Sequence, residues 1–161
     1  MKKDETFIKR CIELAEKALD NGEATFGSLV VRNNKVIAES SSTTKRDNDV
    51  TNHAEILVMR KAQKLLNTSD LSECSIYSNC EPCAMCSFMI RELKFKKVVF
   101  ASKSPLMGGF SRWKILQNKK LEALKPFFDK SPQVISGILE KEATKTFERQ
   151  ANLLSKNRTS L

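Results

Sequence analysis

Four residues of this chain could do chemistry together: His53, Glu55, Cys83 and Cys86, set in the runs His53-Ala54-Glu55 and Pro82-Cys83-Ala84-Met85-Cys86. One imidazole and two thiolates make three zinc ligands, and three protein ligands leave a fourth position for water or hydroxide, as in a catalytic rather than a structural zinc site. Thiolate donors favour zinc over iron. Glu55 lies two residues past the ligand, at the first turn of the same helix, so it can face the open position without binding the metal and can carry a proton there. A closed site with Cys80 as a further thiolate is the alternative, and it leaves Glu55 without a purpose. His53 is the only histidine among 161 residues, which excludes a three-His zinc site, a two-His facial triad and an H-E-x-x-H protease helix.

The elements that must position these residues follow from periodicity and turn signals. Phe7, Ile8, Cys11, Leu14, Ala15, Ala18 and Leu19 recur at helical spacing, with Gly22 as a stop, which predicts an amphipathic helix over about 4–21. Two runs rich in β-formers, Thr25–Arg32 and Lys35–Ser41, flank Asn33-Asn34 and predict a tight hairpin. A helix is expected at about His53–Leu66, a strand at Ser75–Ser78, and a third helix from Pro82, whose fixed φ suits a first turn. A strand at Lys97–Ala101, a helical stretch near Ser111–Leu124, a strand at Gln133–Leu139 and a helix at about Lys141–Leu154 complete the reading. Strands alternating with helices imply a three-layer α/β/α domain, and the opening hairpin makes its sheet mixed. No repeat, low-complexity tract or linker divides the chain, so a single domain over 1–161 is expected. His53 and Cys83 both fall at helix N-termini, where partial positive charge favours thiolates.

No signal-peptide h-region follows Met1-Lys2-Lys3, since Asp4 and Glu5 come at once, and no apolar run is long enough to span a membrane. Five cysteines in such a chain point to a reducing, cytoplasmic setting. Cys11, Cys74 and Cys80 then read as small core residues. The net charge is +9, and residues 91–125 hold ten Lys or Arg against Glu92 and Glu122, which puts +8 in that stretch. Near the rim of a pocket it could draw RNA or another anion; the plainer reading is a solvated face.

On these residues the chain resembles the cytidine deaminase superfamily, in the branch of bacterial guanine deaminases and tRNA adenosine deaminases. H-x-E…P-C-x-x-C is the signature of zinc nucleobase deaminases. The likeness covers about residues 5–101 and also includes Phe26-Gly27-Ser28-Leu29-Val30-Val31 and Cys80-Glu81. It implies a cytidine-deaminase-like α/β/α domain around a mixed five-stranded sheet, and one Zn2+ per chain on His53, Cys83 and Cys86 with water or hydroxide as the fourth ligand. It further implies Glu55 as general acid and base, Phe26 lining the base pocket, the backbone around Ala54 holding the substrate carbonyl, and a homodimer. Ser42 stands where relatives place a substrate-contacting Asn, and its hydroxyl cannot present an amide's donor and acceptor together. Val50-Thr51-Asn52 replaces the usual Pro-Thr-Ala, and Thr25 the usual Pro or Val. Past residue 101 the likeness fades, and the loop Lys103–Trp113 matches neither branch. Trp113 reads as packing its own helical stretch, with a cap over the site as the alternative.

The expected activity is zinc-dependent hydrolytic deamination of an amino-substituted nucleobase or nucleoside, releasing ammonia, with a guanine-like purine first. Deamination of adenosine in a tRNA anticodon loop is the alternative, with RNA reached through the 91–125 stretch. A zinc-stabilised binding module without turnover is the third.

Overall fold

The computed structural model describes residues 2–158; Met1 and residues 159–161, part of the expected 1–161 domain, lie outside the described residues. Helix α1, Lys2–Asp20, buries Ile8, Cys11, Ile12, Leu14, Ala15, Ala18 and Leu19, the face its spacing predicts. Strands β1, Gly27–Arg32, and β2, Lys35–Ser41, form the hairpin. Asn33 and Asn34 both adopt positive φ, 52° and 60°, as a primed two-residue turn demands, and Arg32 pairs with Lys35.

Helix α2, Ala54–Leu66, leads to β3, Cys74–Cys80, and helix α3, Ala84–Glu92, to β4, Lys97–Ser102. Strand β5, Gln133–Ser136, and helix α4, Glu140–Arg158, complete the chain. The strand order is β2-β1-β3-β4-β5. β1 is antiparallel to β2 and β3, while β3, β4 and β5 run parallel, so the sheet is mixed and five-stranded as expected.

Alternating side chains of the strands feed two layers. Leu29, Val31, Tyr77, Val99 and Ala101 pack against Ile8, Cys11, Ile12 and Ala143 on the side of α1 and α4. Val30, Ile76, Val98 and Phe100 pack against Ile56, Val58, Met59, Ala62 and Ile90 on the side of α2 and α3. The result is the three-layer α/β/α arrangement, with α2 and α3 both entering from one face of the sheet.

Three local expectations are corrected. Pro82 stands outside α3, one residue before its N-cap Cys83 (φ −66°, ψ 176°), so it stiffens the approach rather than the first turn. β5 ends at Ser136 because Gly137 turns the chain at φ 86°, its N–H donating to the carbonyls of Phe100 and Ala101. The helical stretch near Ser111–Leu124 is a series of turns with one 3-10 turn, Lys119–Ala123. There Lys114 takes φ 55°, and the buried Arg91 guanidinium binds the carbonyls of Ile115, Leu116 and Asn118, using up acceptors a helix would need.

Candidate metal centre

The parallel pair β3 and β4 ends at Cys80 and Ser102, and the N-termini of α2 and α3 meet beside that end. Ligands of open α/β sheets sit at such strand ends. His53 caps α2 with extended backbone, φ −65° and ψ 150°, and Cys83 caps α3. Cys86, one helical turn on, falls on the same face of α3 as Cys83. The three donor atoms form a nearly equilateral triangle: Cys83 Sγ to Cys86 Sγ, Cys83 Sγ to His53 Nδ1 and Cys86 Sγ to His53 Nδ1 are each 3.6 Å. Zn–S bonds of about 2.3 Å and Zn–N bonds of about 2.0–2.1 Å at tetrahedral angles require S···S near 3.8 Å and S···N near 3.6 Å, so the donors fit zinc. Among the described residues these three alone form a metal-ligating group, and Cys80 is not among them, which leaves the site open.

Electrostatics agree with a ligand set. The hydrogen bond from Cys86, aided by His53, holds the Cys83 thiol down at about 4, and the same Cys83 hydrogen bond raises the Cys86 thiol. Cys83 also raises the imidazole of His53. Glu55 is buried at 4% exposure, and burial pushes its carboxyl up to about 7. Ser78 Oγ lies 3.4 Å from both Glu55 Oε1 and the Gly27 carbonyl, tying the acid to the start of β1.

Of the residues expected to contact substrate, Phe26 and Ser42 flank the two ends of the β1–β2 hairpin and Ala54 opens α2. The Ser42 N–H donates to the Phe26 carbonyl at 3.0 Å, and Ser42 is buried. Phe26 is half-buried, its ring 5.7 Å from that of Phe147 on α4. Ala54 is fully buried at the start of α2, next to Glu55. Sequence reasoning misses Asn79, whose Oδ1 accepts from the Gly27 N–H at 2.9 Å while Nδ2 donates to the Thr25 carbonyl at 3.0 Å. It thus clamps both peptide groups flanking Phe26. An Asn at the end of an otherwise buried strand is its one signal. Also missed are Phe147 and Gln150, the latter sharing a 2.5 Å hydrogen bond with Thr25, since nothing local in the sequence brings α4 to residues 25–26.

The 91–125 stretch is not one patch beside the site. Arg91 is buried at 1% exposure. Lys97 pairs with Asp4 and aligns with Gln133, and Lys94 and Lys125 share a cleft, all at the sheet end away from Cys83. Lys103, Arg112 and Lys114 lie on the loop whose Gly108 bridges to Cys83. Trp113 on that loop is 55% exposed, with the Arg112 guanidinium 5.3 Å from its ring, and the segment that carries it is not the helix expected there.

Residues 1–102 match the family described as the cytidine and deoxycytidylate deaminase zinc-binding region. The chain is 38% identical over 100 residues to a guanine deaminase of Bacillus subtilis (strain 168), covering 62% of this chain and 64% of that one. It is 33% identical over 144 residues to a tRNA-specific adenosine deaminase of the same organism, covering 88% of this chain and 84% of that one. Among solved structures, one from work on A-to-I editing by tRNA:A34 deaminases superposes with a TM-score of 0.74 at 28% identity, over 88% of this chain and 98% of that one. The X-ray structure of the Bacillus subtilis guanine deaminase gives 0.60 at 33% identity, over 79% and 71%.

Proposed function

The chain belongs to the cytidine and deoxycytidylate deaminase zinc-binding family and is a zinc-dependent deaminase of a nucleobase or nucleoside, and from that premise we propose that it acts on a small amino-purine of the guanine type. The observation that carries the chemistry is a buried carboxylate, Glu55, placed beside the donor triangle without belonging to it. Zinc held by His53, Cys83 and Cys86 supplies the polarisation that makes water nucleophilic near neutral pH.

In the proposed reaction, water adds oxygen to the amine-bearing carbon and the C–N bond breaks. Glu55 takes one proton from that water and delivers it to a ring nitrogen, then takes the second from the added hydroxyl and passes it to the departing amine, so carbonyl product and ammonia balance water and substrate. Phe26 presents a ring face to the base, Asn79 holds the backbone on both sides of it, and Ser42 and the backbone at Ala54 bound the pocket. The guanine-type reading is supported by 38% identity over 100 residues to a guanine deaminase, by the packing of Phe147 on Phe26, and by the placing of Lys94, Lys97 and Lys125 at the sheet end away from Cys83.

Adenosine in a tRNA loop is the second reading, supported by the longer match to tRNA-specific deaminases and by exposed Trp113 with Lys103, Arg112 and Lys114 near Cys83. Five free cysteines support a reducing, cytoplasmic setting, and no helix of the described residues is long and apolar enough to cross a membrane. Exposed Met85 and Phe88 on α3, with the Phe128 ring 6.5 Å from that of Phe88, support a homodimer through that face.

Ammonia release from guanine, adenine, adenosine, cytosine and a tRNA anticodon stem–loop tests the proposal. Turnover of guanine with none of the stem–loop is expected. Turnover of the stem–loop alone would transfer the reading to RNA, and no release from any substrate would reject both.

A further inference from the structure

Glu81 sits between the zinc-ligand helix and the long irregular segment 103–132, and the reaction leaves it unused. It is 3% exposed, and among the described residues it has no cation within ion-pair distance. A buried carboxylate is costly unless hydrogen bonds replace its water. Here four do. Oε1 accepts from the Phe110 and Ser111 N–H groups at 2.9 and 2.6 Å, and Oε2 accepts from the Ser104 N–H at 2.9 Å and the Ser111 hydroxyl at 2.8 Å. All four donors lie on residues 104–111, so one side chain fixes both ends of a loop.

The loop is fitted to the same place by its glycines. A Cβ on Gly108 would lie 2.0 Å from Glu81 Oε1, and one on Gly109 would lie 2.0 Å from Ser87 Oγ. Gly108 forms a bridge with Cys83, and the Gly109 N–H donates to the Pro82 carbonyl at 2.8 Å. Backbone therefore lies directly against the N-terminus of α3, where two zinc ligands sit. The bare contact is possible because nothing larger than hydrogen stands on either residue.

We propose that Glu81 is a positioning residue that docks residues 104–111 on the N-terminus of α3, so that the loop forms a fixed wall beside Cys83 and sets how tightly substrate is held. The kinetic part rests on the deaminase reading; the docking itself does not. A carboxylate is required because every group facing it is a donor. An amide would turn its own N–H2 toward N–H groups and lose two of the four bonds. The wall governs substrate affinity rather than the proton transfer, since Glu55 and the donor triangle belong to other contacts.

Trp113 is the only tryptophan of the chain and follows the docked segment directly, its N–H donating to the Gly108 carbonyl at 3.0 Å, so its fluorescence reports the loop. In zinc-loaded full-length protein, Glu81→Gln should raise acrylamide quenching of Trp113 by about twofold while zinc content and far-UV circular dichroism hold. With guanine as substrate, KM should rise about tenfold and kcat stay within about threefold. Ser111→Ala removes the hydroxyl shared between Glu81 Oε2 and the Ser104 carbonyl, leaves the carboxylate its three N–H donors, and should shift both readouts the same way by less. Wild-type quenching in both variants would overturn the proposal. So would a fall in kcat with KM unchanged, or a Glu81→Gln protein that loses fold or zinc while Ser111→Ala behaves as wild type. If guanine is not turned over at all, the substrate reading fails and the quenching result still decides the docking.

Discussion

The chain leading into the zinc triangle and the chain leaving it are held in different ways. Residues 43–52, before His53, carry their own fastenings. Thr43 Oγ1 and Asn52 Nδ2 both donate to Asp47 Oδ2, at 2.6 and 3.1 Å, and the Thr51 N–H and hydroxyl both donate to Asp49 Oδ1, at 2.8 and 2.7 Å. From elsewhere come Glu23, which accepts from the Lys45 and Arg46 N–H groups, the Gly22 carbonyl, which accepts from Lys45 Nζ, and Arg60, which donates to Asn52 Oδ1. Residues 103–132 make turns of their own, but their fixed points are two buried charges in and beside α3. Glu81 takes amide hydrogens from the first part, and Arg91 donates to the carbonyls of Ile115, Leu116, Asn118 and Asp129 at 3.0 to 3.3 Å. Irregular chain near a site can thus be ordered by local turn chemistry or by a remote charge of either sign that solvates its backbone.

If that contrast holds, the largest loss of stability comes from the remote charge. Arg91→Met keeps much of the aliphatic stem but strips four carbonyls of their donor, and hydrogen bonds to charged groups make it cost about 3 kcal/mol or more. A lowered urea midpoint, with amide exchange faster across 115–129 than across 43–52, is the expected pattern. Uniform loosening of both segments would break the comparison. Thr43→Val removes one local tie and should cost about 1 kcal/mol, with faster exchange confined to 43–52. Cooperative loss of the whole sheet from that change would show that the segment is not self-fastened.

Acid distinguishes the two without mutation. The hydrogen bond from Arg46, with that of Thr43, holds the Asp47 carboxyl below its ordinary value, and the Thr51 hydroxyl does the same for Asp49. A carboxyl lowered on folding contributes stability above its unfolded pKa and loses that contribution as pH falls through the lowered folded value. Burial lowers the Arg91 guanidinium, yet from a starting point so basic that it stays charged in acid. Exchange monitored as pH falls below the ordinary aspartate range, about 3.9, should therefore open 47–52 while Arg91 still holds 115–118. The reverse order would contradict this account.

The same contrast explains what could be read in the sequence. Asn33-Asn34 announces its hairpin because the turn geometry is a property of those two residues. His53, Glu55, Cys83 and Cys86 are legible because each pair lies within one helical turn and both pairs fall at helix starts. In the 103–132 segment, Ile115, Leu116, Leu121 and Leu124 look helical, but Gly108, Gly109 and the reach of Arg91 decide otherwise, and those are tertiary facts. Asn79 is of the same kind. Its meaning depends on β1 lying antiparallel beside β3, so that Gly27 and Thr25 face it.

The central claim is that Glu55 moves the protons of a deamination at a zinc centre it does not itself hold. Zinc content and ammonia release measured on one preparation of Glu55→Gln test it most directly. One zinc per chain, with release lowered by about 10²–10⁴-fold, is the predicted result. Turnover undiminished with zinc in place would contradict it.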